Sequence, residues 1–264
     1  MAFDLNNFVI DRIVRAVALS QTDDSVLFSI NQVTNPSLNV TSETAEAVDA
    51  LGTPIAIFNR AKSAEFSAEN ALFDMNLMAT QSGTTKQTAS SDAVILTPAF
   101  ETIDITGAAS YTLAHTPLEA PAKVYKLNGD GTLGTAYELA DTASETAFAL
   151  ADATLTAPTS MVNGEQLFVI YEYNADGTEK NGAIAVTNSA VNFPVGCKLI
   201  VEVLGCDVCD QTKMIFAYLI FPNFKLSSDF DWSMQTDSTH PFSGQAMQDY
   251  CDKEKKLYSI IIPE

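Results

Sequence analysis

His115 and His240 are the only histidines in the 264 residues, so general-base chemistry near neutral pH has few places to arise. His115 lies in Ala114-His-Thr-Pro117 and His240 in Thr239-His-Pro241. Both stretches read as turns beside proline. Neither stands in a pattern that pairs a base with a nucleophile, as a serine or cysteine hydrolase requires. The sharpest motif is Cys206-Asp-Val-Cys209, half of a zinc knuckle placed at the expected tip of a hairpin. A tetrahedral site needs two further ligands. Cys197 and Cys251 are the other cysteines, and no second C-x-x-C or C-x-x-H is present. No βαβ pattern surrounds the pair, as a thioredoxin-type redox motif would need. Cys206 and Cys209 are therefore expected to be small turn residues rather than metal ligands.

Other chemistries meet the same lack of partners. Gly83-Thr-Thr-Lys86 resembles a fragment of a phosphate loop, but it follows an expected helix instead of opening one. Carboxylates are abundant, yet no two are singled out as an acid–base pair. The lone tryptophan, Trp232, lies in an alternating apolar pattern that suits packing better than sugar binding. The turns at Asn128 and Asn174 are rich in oxygen. Neither is followed by the distant Glu of a calcium loop, so both read as hairpin turns. No catalytic, cofactor-binding or metal-binding residue is predicted, and no enzymatic role.

The bulk properties narrow the class. Hydrophobic residues make up 47% and charged residues 18%, which excludes a disordered chain. The 33 acidic and 14 basic residues give a net charge of −19, so specific nucleic-acid reading is not expected. A surface of that sign would let a polyanion slide past without holding it. The N-terminus has no basic n-region followed by an apolar h-region, and no apolar run reaches the roughly 20 residues of a membrane span. The protein is expected to be made and kept in a cytoplasm, with reduced cysteines and no membrane partner.

The elements are mostly strands. Phe8–Leu19, Val26–Val33 and Pro54–Phe66 are β-prone runs, with a turn at Asn35-Pro36-Ser37 between the second and the third. One helix is predicted over 68–82, with Ser67 as N-cap, Glu69 in its first turn, and Leu72, Met75 and Ala79 at helical spacing. Gly83 is placed to end it. A polar loop over 82–91 leads to a strand at Ala93–Leu96. Near the end, Cys197–Leu204 and Met214–Phe221 read as a buried hairpin. Lys225–Gln235 alternates, with Phe230, Trp232 and Met234 on one face, and predicts another strand. Phe242–Tyr250 and Leu257–Ile262 follow, with Lys253–Lys256 as a solvated turn between them.

From about 108 to 190 the composition turns rich in Ala, Thr and Gly. Tyr125-Lys-Leu-Asn-Gly-Asp-Gly-Thr132 echoes Tyr171-Glu-Tyr-Asn-Ala-Asp-Gly-Thr178, and both read as hairpins. The expected fold is mainly β: an antiparallel β-sandwich or barrel with one flanking α-helix, formed by residues 1–107 and 191–264. A small immunoglobulin-like β-sandwich over 108–190 is inserted into it.

Three stretches carry a resemblance. They are Thr53–Asn70 leading into the helix Leu72–Gln81 and Gly83, Phe221-Pro-Asn-Phe through Thr236, and Pro241-Phe-Ser-Gly-Gln-Ala-Met-Gln-Asp-Tyr250. In order and style they resemble the bacteriophage tail tube (major tail protein) family, over about 180 residues. The resemblance implies a virion structural protein of the tail, assembled in the bacterial host cytoplasm. Its partner would be itself, in hexameric rings stacked head to tail, with tape-measure, tail initiator and sheath proteins as further partners. DNA would pass through the lumen without specific binding. Other virion β proteins, such as a capsid decoration or head-completion protein, are the alternative, and a carbohydrate-binding module is a more distant one.

Overall fold

The computed structural model describes residues 7–118, 122–209, 211–248, 250 and 253–263. In chain order the elements begin with β1 (Phe8–Ser20), β2 (Val26–Ile30), β3 (Val33–Val48), β4 (Pro54–Asn70) and α1 (Met75–Gln81). There follow β5 (Gln87–Thr88), β6 (Ile95–Asp104), β7 (Ser110–Thr112), β8 (Lys123–Leu127) and β9 (Leu133–Leu139). Next come β10 (Ala147–Ala151), β11 (Thr154–Thr156), β12 (Gln166–Ala175) and β13 (Ile184–Ala185). The chain closes with β14 (Gly196–Asp207), β15 (Met214–Leu226), β16 (His240–Ala246) and β17 (Ser259–Ile261). The fold is thus mainly β with one helix, as the sequence predicts. The strands pair antiparallel, except that β10 runs parallel to β9. The chain divides into two compact units, Met1–Lys86 with Val186–Glu264, and Gln87–Ala185.

The first unit is one sheet in the order β2-β1-β14-β15-β16-β4-β3, with β17 added beside β15. Alternation builds its core. Ala16 and Ala18 of β1, Ala64, Phe66 and Ala68 of β4, and Cys197, Leu199 and Val201 of β14 all point to one side. Residues from β2 and from β4, near the two ends of the sheet, share this single core, so the sheet curls on itself. Phe66 sits at its centre, 5.8 Å from Phe221 and 6.2 Å from Phe242 between ring centroids. The predicted hairpin forms as β14 and β15, paired from Gly196↔Lys225 to Cys206↔Met214.

Three local expectations are corrected. The helix starts at Met75, not at 68, and its N-cap is Asp74, whose side chain accepts from the Leu77 N–H at 2.7 Å. Ser67–Asn70 instead continue β4, because Ala68 and Asn70 pair with Phe242 and His240 of β16. Tertiary pairing outweighs the local signal there. The helix does end at Gly83, at φ 65°. A Cβ there would lie 2.4 Å from the Phe193 carbonyl carbon. Asn35-Pro36-Ser37 is not a turn between strands. It is an irregularity within β3, between Thr34 and Ser37, with Asn35 at φ 50°.

The third correction concerns Lys225–Gln235, which alternates but forms no strand beyond Leu226. The last ladder bond of β15 runs from the Ser227 N–H to the Ser243 carbonyl, at 2.8 Å. The next would need an N–H from Pro241, which proline lacks. The Pro241 carbonyl already accepts from Gln81 Nε2 at 3.1 Å. The Asp229 N–H turns to the Ser227 hydroxyl instead.

The second unit holds a sheet in the order β6-β12-β8-β9-β10-β11-β7 and a two-stranded β13-β5 pair. Phe148, Leu155, Leu167, Val169 and Ala175 are fully buried in it. β6 lies outside the 108–190 stretch that the sequence set apart, yet it pairs along its whole length with β12. The first Asn-x-Asp-Gly segment is a hairpin between β8 and β9, with Gly131 at φ 80°. The second has the same local turn: Asp176 accepts from the Thr178 N–H and hydroxyl, as Asp130 does from Thr132. It is not a hairpin, however. β6 fills one edge of β12 up to Ala175, and on the other edge Glu172 receives the Leu118 N–H. Asn181 closes a loop by donating to the Asn174 carbonyl and to Asp176.

Candidate functional site

The residues with chemical potential are spread apart by the fold. Cys197 and Cys206 both lie on β14, nine residues apart, which at about 3.3 Å per residue is roughly 30 Å. They cannot share a metal ion. Cys197 is buried in the core and its thiol donates to the Phe224 carbonyl at 3.3 Å. Burial pushes its pKa up to about 12, so it is an inert apolar residue. Cys206 is half-buried and Cys209 exposed, with the Cys209 N–H held by Asp207 at 2.8 Å. Cys251 lies outside the described residues. Lys86 follows α1 in the polar segment before β5.

The histidines have structural partners. His115 stacks on Tyr173 at 3.8 Å, while its backbone N–H donates to the Tyr171 hydroxyl at 3.1 Å. That hydroxyl donates in turn to Glu101, which also accepts from the Ala114 N–H. His240 is not a turn residue but the first residue of β16, fully buried. Its Nδ1 accepts from the Asp74 N–H at 3.4 Å, so Nε2 carries the proton and donates to Gln81 Oε1 at 2.8 Å. Phe73 stacks on its ring at 5.0 Å and Trp232 stacks on Phe73 at 4.3 Å. Burial holds the His240 pKa below its ordinary value. This group joins α1, β16 and the segment after β15; its bonds are used up in holding them.

What the first unit does offer is surface. β4 pairs with β16 only over Ala64–Asn70, so Pro54–Ser63 and the facing half of β3 stand clear of the core as a two-stranded ribbon. Apolar side chains are bare along it: Leu51 is 92% exposed, Ile55 70% and Phe58 58%. A second apolar region, a groove of about 400 Å³, opens among Phe8, Ile10, Ile13, Leu38, Leu219 and Ile260. Two polar hollows flank the β4–β16 pair. One, of about 540 Å³, is lined by Glu69, Asp229, Asp231 and Asp237. The other, of about 670 Å³, is lined by Arg60, Lys62 and Lys255 with Gln245 and Tyr258. The dense spots Arg60–Lys62 and Lys253–Lys256 were the available signal, but only the fold shows that they meet.

No curated protein matches the chain. The sequence profile of the YomU/Tube protein family matches residues 8–261, and so takes in every strand described above. With an open-edged β sheet, an exposed apolar ribbon and a match along nearly its entire length, the chain belongs to the YomU/Tube protein family of phage tail tube proteins.

Proposed function

We propose that the chain is the repeating subunit of a phage tail tube, a structural part and not a catalyst. It closes in rings of six that stack head to tail into the conduit for DNA ejection. The observation that carries this reading is the bare ribbon of β3 and β4. Exposed strand edges and apolar side chains of this kind invite aggregation unless a defined partner covers them. A closed ring supplies that partner from identical copies, through a heterologous contact repeated around an axis. Electron microscopy of the purified protein is expected to show rings or tubes of about 100 Å width, set by six subunits around a channel that admits duplex DNA. Monomers alone at high concentration, even with tail initiator protein added, would reject it.

The charge follows the same reading. A ring of six subunits at −19 each carries on the order of −100 charges. The lumen is then net acidic and DNA slides past it. Assembled tubes should show no submicromolar, salt-sensitive affinity for duplex DNA. Tape-measure, tail initiator and sheath proteins are the partners this role calls for, and the virion tail is its location. The unit Gln87–Ala185 serves as a separable immunoglobulin-like module. Its ends are adjacent, since Gln87 pairs with Ala185. Replacing it with a short Gly/Ser linker should leave assembly of the remainder intact.

A further inference from the structure

The β4–β16 strand pair changes sign from one end to the other. Glu69 and the acidic segment Asp229–Asp237 gather where β4 ends and β16 begins; Arg60, Lys62 and Lys255 gather where β16 ends. From Lys62 to Glu69 is seven residues, roughly 23 Å along the strand. Four cations elsewhere are ion-paired inside the chain: Arg12 to Asp11, Arg15 to Glu202, Lys126 to Glu165 and Lys256 to Glu254. Among the described residues Arg60 and Lys62 have no such carboxylate, and both are exposed. Asp229, Asp231 and Asp237 are exposed too, and none is ion-paired among the described residues. Two copies at −19 repel each other at long range. A contact that places the unpaired cations of one copy against the acids of the other offsets this repulsion.

We propose that the basic groove of one copy receives the acidic Asp229–Asp237 segment of a second copy, head to tail. The proposal rests on the tube reading and names the contact by which copies join. Acid and base lie at opposite ends of one strand pair, so each copy offers its acidic end while its basic end is filled. The arrangement propagates, as a heterologous contact does.

The test uses three full-length variants. One carries Arg60→Glu with Lys62→Glu, one Asp229→Lys with Asp231→Lys, and the third all four changes. Assembly is read by sedimentation and electron microscopy, and folding by circular dichroism. Each single reversal should cut the polymer by about tenfold, since it sets like charges face to face. The fourfold swap should restore most of it. The deficit of each reversal relative to wild type should also shrink as NaCl rises from about 0.05 M to about 0.5 M, because the charge contrast is screened. Should a reversal lose the wild-type fold, the milder Arg60→Gln with Lys62→Gln takes its place and must weaken assembly in the same direction. Reversals that assemble like wild type, or a folded swap no better than its parents, would overturn this contact and leave the tube reading standing. Wild-type protein that never assembles would end both.

Discussion

The two halves of the β3–β4 ribbon are made of the same kind of strand and live in different environments. In the near half, Ala64, Phe66, Ala68 and Asn70 alternate inward and β16 pairs alongside. In the far half the same hairpin continues through Thr44↔Asn59 to Val48↔Pro54 with no third strand and no core beneath it among the described residues. An isolated two-stranded hairpin is marginal in water. The far half persists as the extension of an anchored near half, with help from contacts such as the 2.6 Å Thr41–Ser63 hydroxyl bond. Strand geometry, then, is set by the anchor, and the exposed end is the part that the proposed assembly would cover.

The largest effect that tests this contrast is in the near half. Phe66→Ala should cost about 3–5 kcal/mol, as removal of a buried aromatic ring does, measured by urea unfolding. A cost below about 1 kcal/mol would mean that the near half is not the anchor. Next comes the polar end of the near half, where His240 pairs with Asn70. Gln81→Ala removes the acceptor of the buried His240 Nε2–H and should cost about 1–3 kcal/mol.

A pH titration sharpens the same point. The folded pKa of His240 lies below the ordinary 6.5, so between the two values the unfolded chain binds more protons. Its contribution is full above pH 6.5 and is lost progressively as pH falls towards the folded pKa. The Gln81→Ala variant should shift this acid limb, whereas a far-half variant should leave it in place. The smallest effect on stability belongs to the far half. Phe58→Ser should change unfolding free energy by less than about 0.5 kcal/mol, yet weaken assembly. Hydrogen exchange of the free protein should be faster at 44–59 than at 64–70.

The near half also shows where sequence stops being legible. Val and Ile in Phe8–Leu19 announce β1 because composition and alternation agree. Between Ser67 and Met75 two periods overlap. Phe66, Ala68 and Asn70 continue at spacing two, while Leu72, Met75 and Ala79 suit a helix; only pairing with β16 decides. Phe230, Trp232 and Met234 alternate as a strand would. Their fate depends on Pro241, ten residues beyond Asp231, denying them a ladder bond. The basic groove was harder still, since Lys255 reaches Arg60 and Lys62 from a distant part of the chain. The Cys206–Cys209 spacing was visible at once, but the separation from Cys197 is a property of β14 as a strand.

The β5–β13 clasp has a consequence for the order of events during synthesis. β1 pairs early with β2 but finds its second neighbour only when β14 has been made, because that pairing spans Phe8↔Asp207 to Ser20↔Cys197. Every residue of the second unit leaves the ribosome before that. Closing a flexible loop of that length costs more as the loop grows, though only logarithmically. Once Gln87–Thr88 and Ile184–Ala185 have joined, the first unit no longer closes a long flexible loop; it bridges two chain ends already held side by side. If the second unit folds first, it delivers β14 to the waiting N-terminal strands from a short tether rather than from the end of a long one.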